Sequence, residues 1–322
     1  MRKILFFIIL VLIGLCSCSK EYQTEPITNW THLSDFPGTP RASATGFVSG
    51  DKAYICLGRS GLKYGFLKDL WEYDSNTGAW TRKTDFPGAA RVKAVGVVIG
   101  SKAYVGMGSI GPYAEASQFN DFWEYDIQHD KWTQKASFPG LGMNDLSYAV
   151  VDSCLYTTEG YTGTERVKDT YRYDPKTNIW TKMEDCPINH SGTAGFGIGN
   201  CFYVGTGFCG RNYKDFYCFQ TVTGNWSHVA DLPDARILSN GMSINGKGYI
   251  LLGRYWAGSL NGGRLLDDIV MYDPLENVWI KRGYFPGGAR QNAVVWSMNG
   301  KGYILAGEDD SERKNDVWMF EP

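Results

Sequence analysis

From about residue 30 onward the chain is written in apolar runs of three to six residues separated by clusters of polar and turn-forming residues. Ala94 to Ile99, Ala103 to Met107, Phe122 to Tyr125 and Trp132 to Gln134 are one such set. After the first 17 residues no stretch sustains a 3.6-residue rhythm, so the pattern predicts short strands rather than helices. The set belongs to a repeated phrase. Asp69-Leu70-Trp71-Glu72-Tyr73-Asp74, leading to Trp80, returns at Asp121 to Asp126, leading to Trp132, and at Asp169 to Asp174, leading to Trp180. Its tryptophan falls at 30, 80, 132, 180, 226 and 279, at spacings of 50, 52, 48, 46 and 53. In step with it run a tyrosine inside an apolar run (54, 104, 156, 203, 249, 303), a glycine closing that run (58, 108, 160, 207, 253, 307), an aspartate before the next (69, 121, 169, 215, 268, 316) and a proline beyond the tryptophan. A period near 50 residues with this content predicts the blade of a propeller. Six four-stranded repeats over residues 30–322 predict an all-β, six-bladed β-propeller that forms a single domain.

Within each blade the strands are named a to d. Asn245-Gly246 and Asn299-Gly300 suit two-residue hairpins between a and b, because both positions accept positive φ. Trp30-Thr31-His32 is a d strand with nothing before it, and the last repeat has a, b and c with no d after them. The N-terminal strand is therefore expected to complete the last blade and close the ring, which removes two open sheet edges. Antiparallel order puts the short a-to-b and c-to-d turns on one face and the d-to-a and b-to-c connections on the other. The b-to-c loops are long and unlike one another, and such loops on a rigid scaffold concentrate binding residues.

The glycine ending strand b, the Tyr-Asp ending strand c and the tryptophan six residues beyond, here Gly58, Tyr73-Asp74 and Trp80, resemble the marks of Kelch-repeat propellers. There are departures. The first glycine of that family's pair is replaced by Leu57, Met107, Glu159, Thr206, Leu252 or Ala306, and Phe219-Gln220 stands for Tyr-Asp in blade 4.

Ahead of the repeats, Arg2-Lys3 and the apolar run Ile4 to Leu15 read as a signal peptide over residues 1–17, too short for an assured membrane span. Leu15-Cys16-Ser17-Cys18 resembles the lipobox of bacterial lipoproteins, which implies lipidation at Cys18, a tether over residues 18–29, and an outer-membrane location facing the periplasm or the cell surface. The tether is expected to leave from the short-turn face. Removing residues 1–17 leaves 30 basic and 34 acidic side chains, a net charge of −4 that argues against nucleic acid as a partner.

Candidate chemistry gathers where the d-to-a connections approach the channel mouth. There the blades carry Arg41, Arg91, Met143, His190, Arg236 and Arg290. Four arginines and a histidine around one opening would form a positive funnel for an anion, with guanidinium forks able to bind a carboxylate bidentately; the competing expectation is that they hydrogen-bond loop carbonyls. Residues peculiar to one blade are further candidates: Asn144, Asp145, Glu159 and Arg166 in blade 3, His190 and Arg211 in blade 4, Trp256 in blade 5. Glu159 could serve as a general base or neutralise Arg91 or His190, and Trp256 could stack on a sugar. Glu159, Arg166 and His190 are the catalytic candidates; Arg41, Arg91, Asn144, Asp145, Arg211, Arg236, Trp256 and Arg290 are the ligand-binding candidates.

Four scattered histidines form no copper constellation, and no metal site or cofactor is expected. Cys56, Cys154, Cys186, Cys201, Cys209 and Cys218 permit disulfides but do not define pairs. The expectation is a monomeric, membrane-anchored binding module for a glycan, an anionic small molecule or a protein, in contact with the membrane only through its lipid. The alternative, implied by resemblance to sialic-acid mutarotases, is an isomerase acting on an acidic sugar.

Overall fold

The computed structural model describes residues 25–61, 65–111, 117–258 and 262–322. The signal segment, Cys18 and most of the expected tether lie outside these residues. Six four-stranded antiparallel sheets surround an axis, with no α-helix among the described residues. The innermost a strands are Thr45–Ser49, Val95–Ile99, Ser147–Val151, Ala194–Ile198, Asn240–Ile244 and Val294–Met298. Blade 1 continues outward through Lys52–Cys56, Leu70–Asp74 and Ala79–Lys83, and the other blades repeat this order. Strand limits lie within a residue of those read from the apolar runs of blade 2.

Closure occurs as the truncated first repeat implies. Trp30–His32 pairs with Val317–Phe320 in the register Trp30 to Phe320 and His32 to Trp318, supplying strand d of blade 6. Trp30 packs against Phe285 and Phe320 at 5.4 and 4.9 Å between ring centroids. The described residues just before this strand pack on the neighbouring blade. The Ile27 N–H donates to the Arg282 carbonyl and Arg282 Nε donates to the Glu25 carbonyl, so the chain before Trp30 crosses the rim onto the outer strand of blade 5. Ile27 is buried in the apolar core there, which explains the detour.

Packing between blades is apolar. In blade 1, Trp80 meets Tyr73 at 5.0 Å and Phe36 of the preceding connection at 4.9 Å, and the same trio recurs as Trp132, Tyr125 and Phe86. Near the axis the a strands approach closely because Gly46, Gly96, Gly195 and Gly241 occupy the second strand position. A Cβ on Gly241 would lie 2.4 Å from the Gly195 carbonyl oxygen. Blade 3 has Tyr148 at this position, with its phenol beside Thr45 and Gly96. One element was not foreseen: the blade 5 loop contains a small hairpin, Arg254–Trp256 paired with Gly263–Leu265.

Candidate functional site

The four mouth arginines do not form an open funnel. Arg41, Arg91, Arg236 and Arg290 are at most 1 % exposed, and each is stapled within its own blade. Arg41 donates from Nη1 and Nη2 to Asp69 Oδ1 and Oδ2 at 2.8 and 2.7 Å, and from Nη1 to the Leu57 carbonyl at 3.0 Å. Arg236 makes the same fork with Asp268 at 2.8 and 2.8 Å, and Arg290 with Asp316 at 2.6 and 2.9 Å. Arg91 pairs with Asp121 and with the Met107 carbonyl. The guanidiniums of Arg41, Arg91 and Arg290 also lie 4.8–5.0 Å from Phe36, Phe86 and Phe285. The carbonyls they hold belong to residues with φ of 56–66°, the positions where a first glycine is replaced. Each staple therefore supports a backbone conformation costly for a residue with a Cβ. The expectation of a cationic funnel is corrected: these charges are consumed by buried fork pairs.

Blades 3 and 4 break the pattern. Met143 replaces the arginine of blade 3, whose Asp169 pairs with Lys182 at 2.6 Å. In blade 4, His190 Nδ1 meets the Thr206 carbonyl at 3.0 Å, so this nitrogen carries the proton. Its ring stacks on Tyr213 at 3.8 Å, and burial lowers its pKa. The Asp215 carboxylate has a buried Oδ1 without a hydrogen-bond partner. Glu159 is fully buried, accepts from the His190 N–H at 3.2 Å, and has no partner at Oε2. Desolvation pushes its pKa up to about 8. It therefore neutralises neither Arg91 nor an imidazolium, and it is closed off from the mouth.

The mouth itself is built from the residues that follow these positions. Two residues beyond each arginine position, Ser43, Lys93, Asp145, Gly192, Leu238 and Asn292 all take φ of 53–68° and form a neck. Their backbones link in sequence: Lys93 N–H to Ser43 O, Ser43 N–H to Asn292 O, Asn292 N–H to Leu238 O, Leu238 N–H to Gly192 O and Gly192 N–H to Asp145 O. Between blades 2 and 3 the connection is ionic, Lys93 Nζ to Asp145 Oδ1 at 2.5 Å. Below the neck lies an axial cavity of about 280 Å³. Above it lies one of about 290 Å³, lined by residues that include Arg59, Phe66, Asn144, Arg254, Trp256 and Glu308.

Most charges of the upper cavity are matched. Arg59 pairs with Glu308 at 3.1 Å, Arg313 with the same carboxylate at 3.2 Å, and Arg254 with Asp310. Asn144 donates to Gln118 Oε1 at 2.6 Å and to Ser109 Oγ at 3.2 Å. Trp256 is held by Asn212, which accepts from its N–H at 3.0 Å and donates to its carbonyl at 2.7 Å. Phe208 meets the indole edge-on at 4.7 Å and lies 5.3 Å from the Arg166 guanidinium, whose Nε donates to Ser191 Oγ. Arg211 lies over Tyr213 at 4.8 Å. Among the described residues, neither Arg166 nor Arg211 has a carboxylate partner. The structure thus brings Arg166, Arg211 and Trp256 to one sector of the mouth and keeps Asn144 and Asp145 at its neck. Glu159 and His190 lie beneath it. Sequence reasoning missed Arg59, Lys93, Arg254 and Glu308.

Among the described residues no group of three or more His, Cys, Asp or Glu side chains could hold a metal ion, and all six cysteines are free thiols. A Kelch motif is matched at residues 144–187. The chain is 25% identical over 215 residues to Kelch-like protein 35 of Mus musculus, an alignment covering 65% of this chain and 35% of that protein. It is 27% identical over 197 residues to N-acetylneuraminate epimerase of Pasteurella multocida strain Pm70, covering 58% of this chain and 47% of that enzyme. The chain spans less than half the length of these curated relatives. The solved structure of YjhT superposes with a TM-score of 0.74 at 20% identity, covering 88% of this chain and 95% of the other. Motif, blade count and superposition together define a six-bladed β-propeller of the Kelch type.

Proposed function

We propose that this propeller is a binding module, tethered through Cys18 to a bacterial outer membrane, whose mouth takes an acidic glycan or a comparable small anion. The observation that carries the reading is the contrast among the arginines. Those of the scaffold are forked to aspartates, whereas Arg166 and Arg211 have no carboxylate partner among the described residues; Arg166 is joined through Phe208 to an aromatic platform, Trp256, and Arg211 lies over Tyr213. A carboxylate would find forked donors at the arginines, and a sugar face would stack on the indole.

The similarity to N-acetylneuraminate epimerase supports a second reading, an isomerase acting on an acidic sugar at the same mouth. The burial of Glu159 weighs against it, because a carboxyl that is neutral and enclosed makes a poor general base. Calorimetry of the full chain with N-acetylneuraminate, galacturonate and their neutral counterparts tests the first reading. Acidic sugars should bind, and Arg166→Gln/Arg211→Gln should lose them while remaining folded. Equal binding by that variant would overturn it. NMR of anomer exchange on the bound sugar decides between binder and isomerase.

A further inference from the structure

Glu159 occupies a position that the other blades fill with Leu57, Met107, Thr206, Leu252 and Ala306. Its carboxyl is buried without a cation, although each equivalent neighbourhood in blades 1, 2, 5 and 6 contains a guanidinium. The groups that face it are the His190 N–H and the Thr193 hydroxyl from the connection into blade 4, the Cys186 thiol, and the Asp215 carboxylate from blade 4. Beyond His190 stand Arg166 and Arg211, which act on the imidazole electrostatically. An ionised carboxylate here would have one backbone donor, a hydroxyl and a like charge nearby, so the neutral acid is the form this enclosure fits.

We propose that Glu159 is a proton-operated latch for the blade 3 to blade 4 side of the mouth. With its carboxyl protonated, the connection bearing His190 packs down and the loops bearing Arg166 and Arg211 are held. When the proton leaves, that sector loosens while the arginine-stapled blades stay closed, because guanidiniums do not titrate in this range. The direction follows from linkage. A raised folded-state pKa gives a contribution that is full below the ordinary carboxyl value of 4.5 and is lost as pH rises toward about 8. His190, lowered by burial, acts oppositely, with its contribution present above 6.5 and lost as pH falls. Above pH 6.5 the response therefore belongs to Glu159.

The test requires no ligand and stands apart from the binding proposal. Amide hydrogen exchange of the full chain is measured at pH 6.5 and 8 and corrected for intrinsic rates. Val167, Cys186 and Tyr213 report on the latch, through N–H bonds to the carbonyls of Gly160, Lys168 and Gly207; Leu67 and Phe86, bonded to Gly58 and Lys68, are the blade 1 controls. Protection of the reporters should fall about tenfold or more relative to the controls, the scale set by a pKa displaced by more than one unit. In Glu159→Gln the fall should vanish. An equal response in that variant, or no response in the wild type, would overturn the latch. Infrared spectroscopy of the wild type at pH 7 gives a second arm that needs no variant. It should show the carbonyl stretch of a protonated carboxyl, and its absence would equally overturn the proposal.

Discussion

Arg41 and Asp69 meet as fork on fork, 2.8 and 2.7 Å apart, with the Arg41 side chain fully enclosed and the carboxylate also accepting the Trp71 indole N–H at 2.7 Å. The same fork secures Arg91, Arg236 and Arg290, with the indole bond repeated at Asp121 and Asp316. Removing one partner leaves a buried charge uncompensated. Arg236→Ala should therefore cost about 3–5 kcal/mol of stability, and Asp268→Ala a similar amount, measured by urea unfolding. A loss below 1 kcal/mol would show that the fork is not what holds blade 5.

Trp256 should behave differently. Its backbone is fixed by Asn212, but its ring lines the mouth and is only partly buried. Trp256→Ala should weaken binding of an acidic sugar by about 1 kcal/mol or more through lost stacking, roughly fivefold in Kd, with unfolding shifted far less than in Arg236→Ala. Unchanged affinity in calorimetry would remove the indole from the site.

Ring closure rests on three residues of strand and one indole. Trp30→Ala removes contacts with Phe285 and Phe320 and should cost about 2–3 kcal/mol, below most aromatic truncations in a core because the indole is only partly buried. Early exchange of the Val317–Phe320 amides, ahead of other blades, would locate the damage at the seam; uniform exchange would contradict that placement.

At the axis, Gly241→Ala puts a methyl 2.4 Å from the Gly195 carbonyl oxygen, and neither backbone can yield without moving a blade. Gly300→Ala, in a hairpin with no atom nearer than 3.6 Å to the added carbon, pays only for its φ of 73°. Thermal unfolding should rank Gly241→Ala well below Gly300→Ala. The reverse order would mean that the a strands are looser than their spacing implies.

The blade count, the strands and the closure could be read from the chain because each depends on a residue type recurring at one offset. For the arginines, the expected bonds to loop carbonyls are present, whereas their aspartate partners could not be read. The aspartate recurs in all six blades and the arginine in four, and a partner 26–32 residues away in the chain is not marked by local pattern. Trp256 and Arg166 were legible as departures from the repeat. Of the neck residues only Asp145 was singled out, because Ser43, Lys93, Asp145, Gly192, Leu238 and Asn292 share no chemistry; what unites them is a backbone angle. The blade 5 hairpin was missed because its strands are three residues long and carry too little alternation to stand out from a loop.

That shared angle has a consequence for how such a mouth can change. The aperture is a collar set mainly by peptide groups, an N–H gripping the neighbouring blade's carbonyl at five of its six junctions and the Lys93–Asp145 ion pair closing the sixth. Its bore is therefore largely indifferent to what the six residues carry outward, as a lens mount is to the glass it holds. A hydroxyl, an ammonium, a carboxylate, a bare hydrogen, an isobutyl group and an amide already sit in it side by side. New ligand preferences can be written there one blade at a time, with little change to the geometry of the opening.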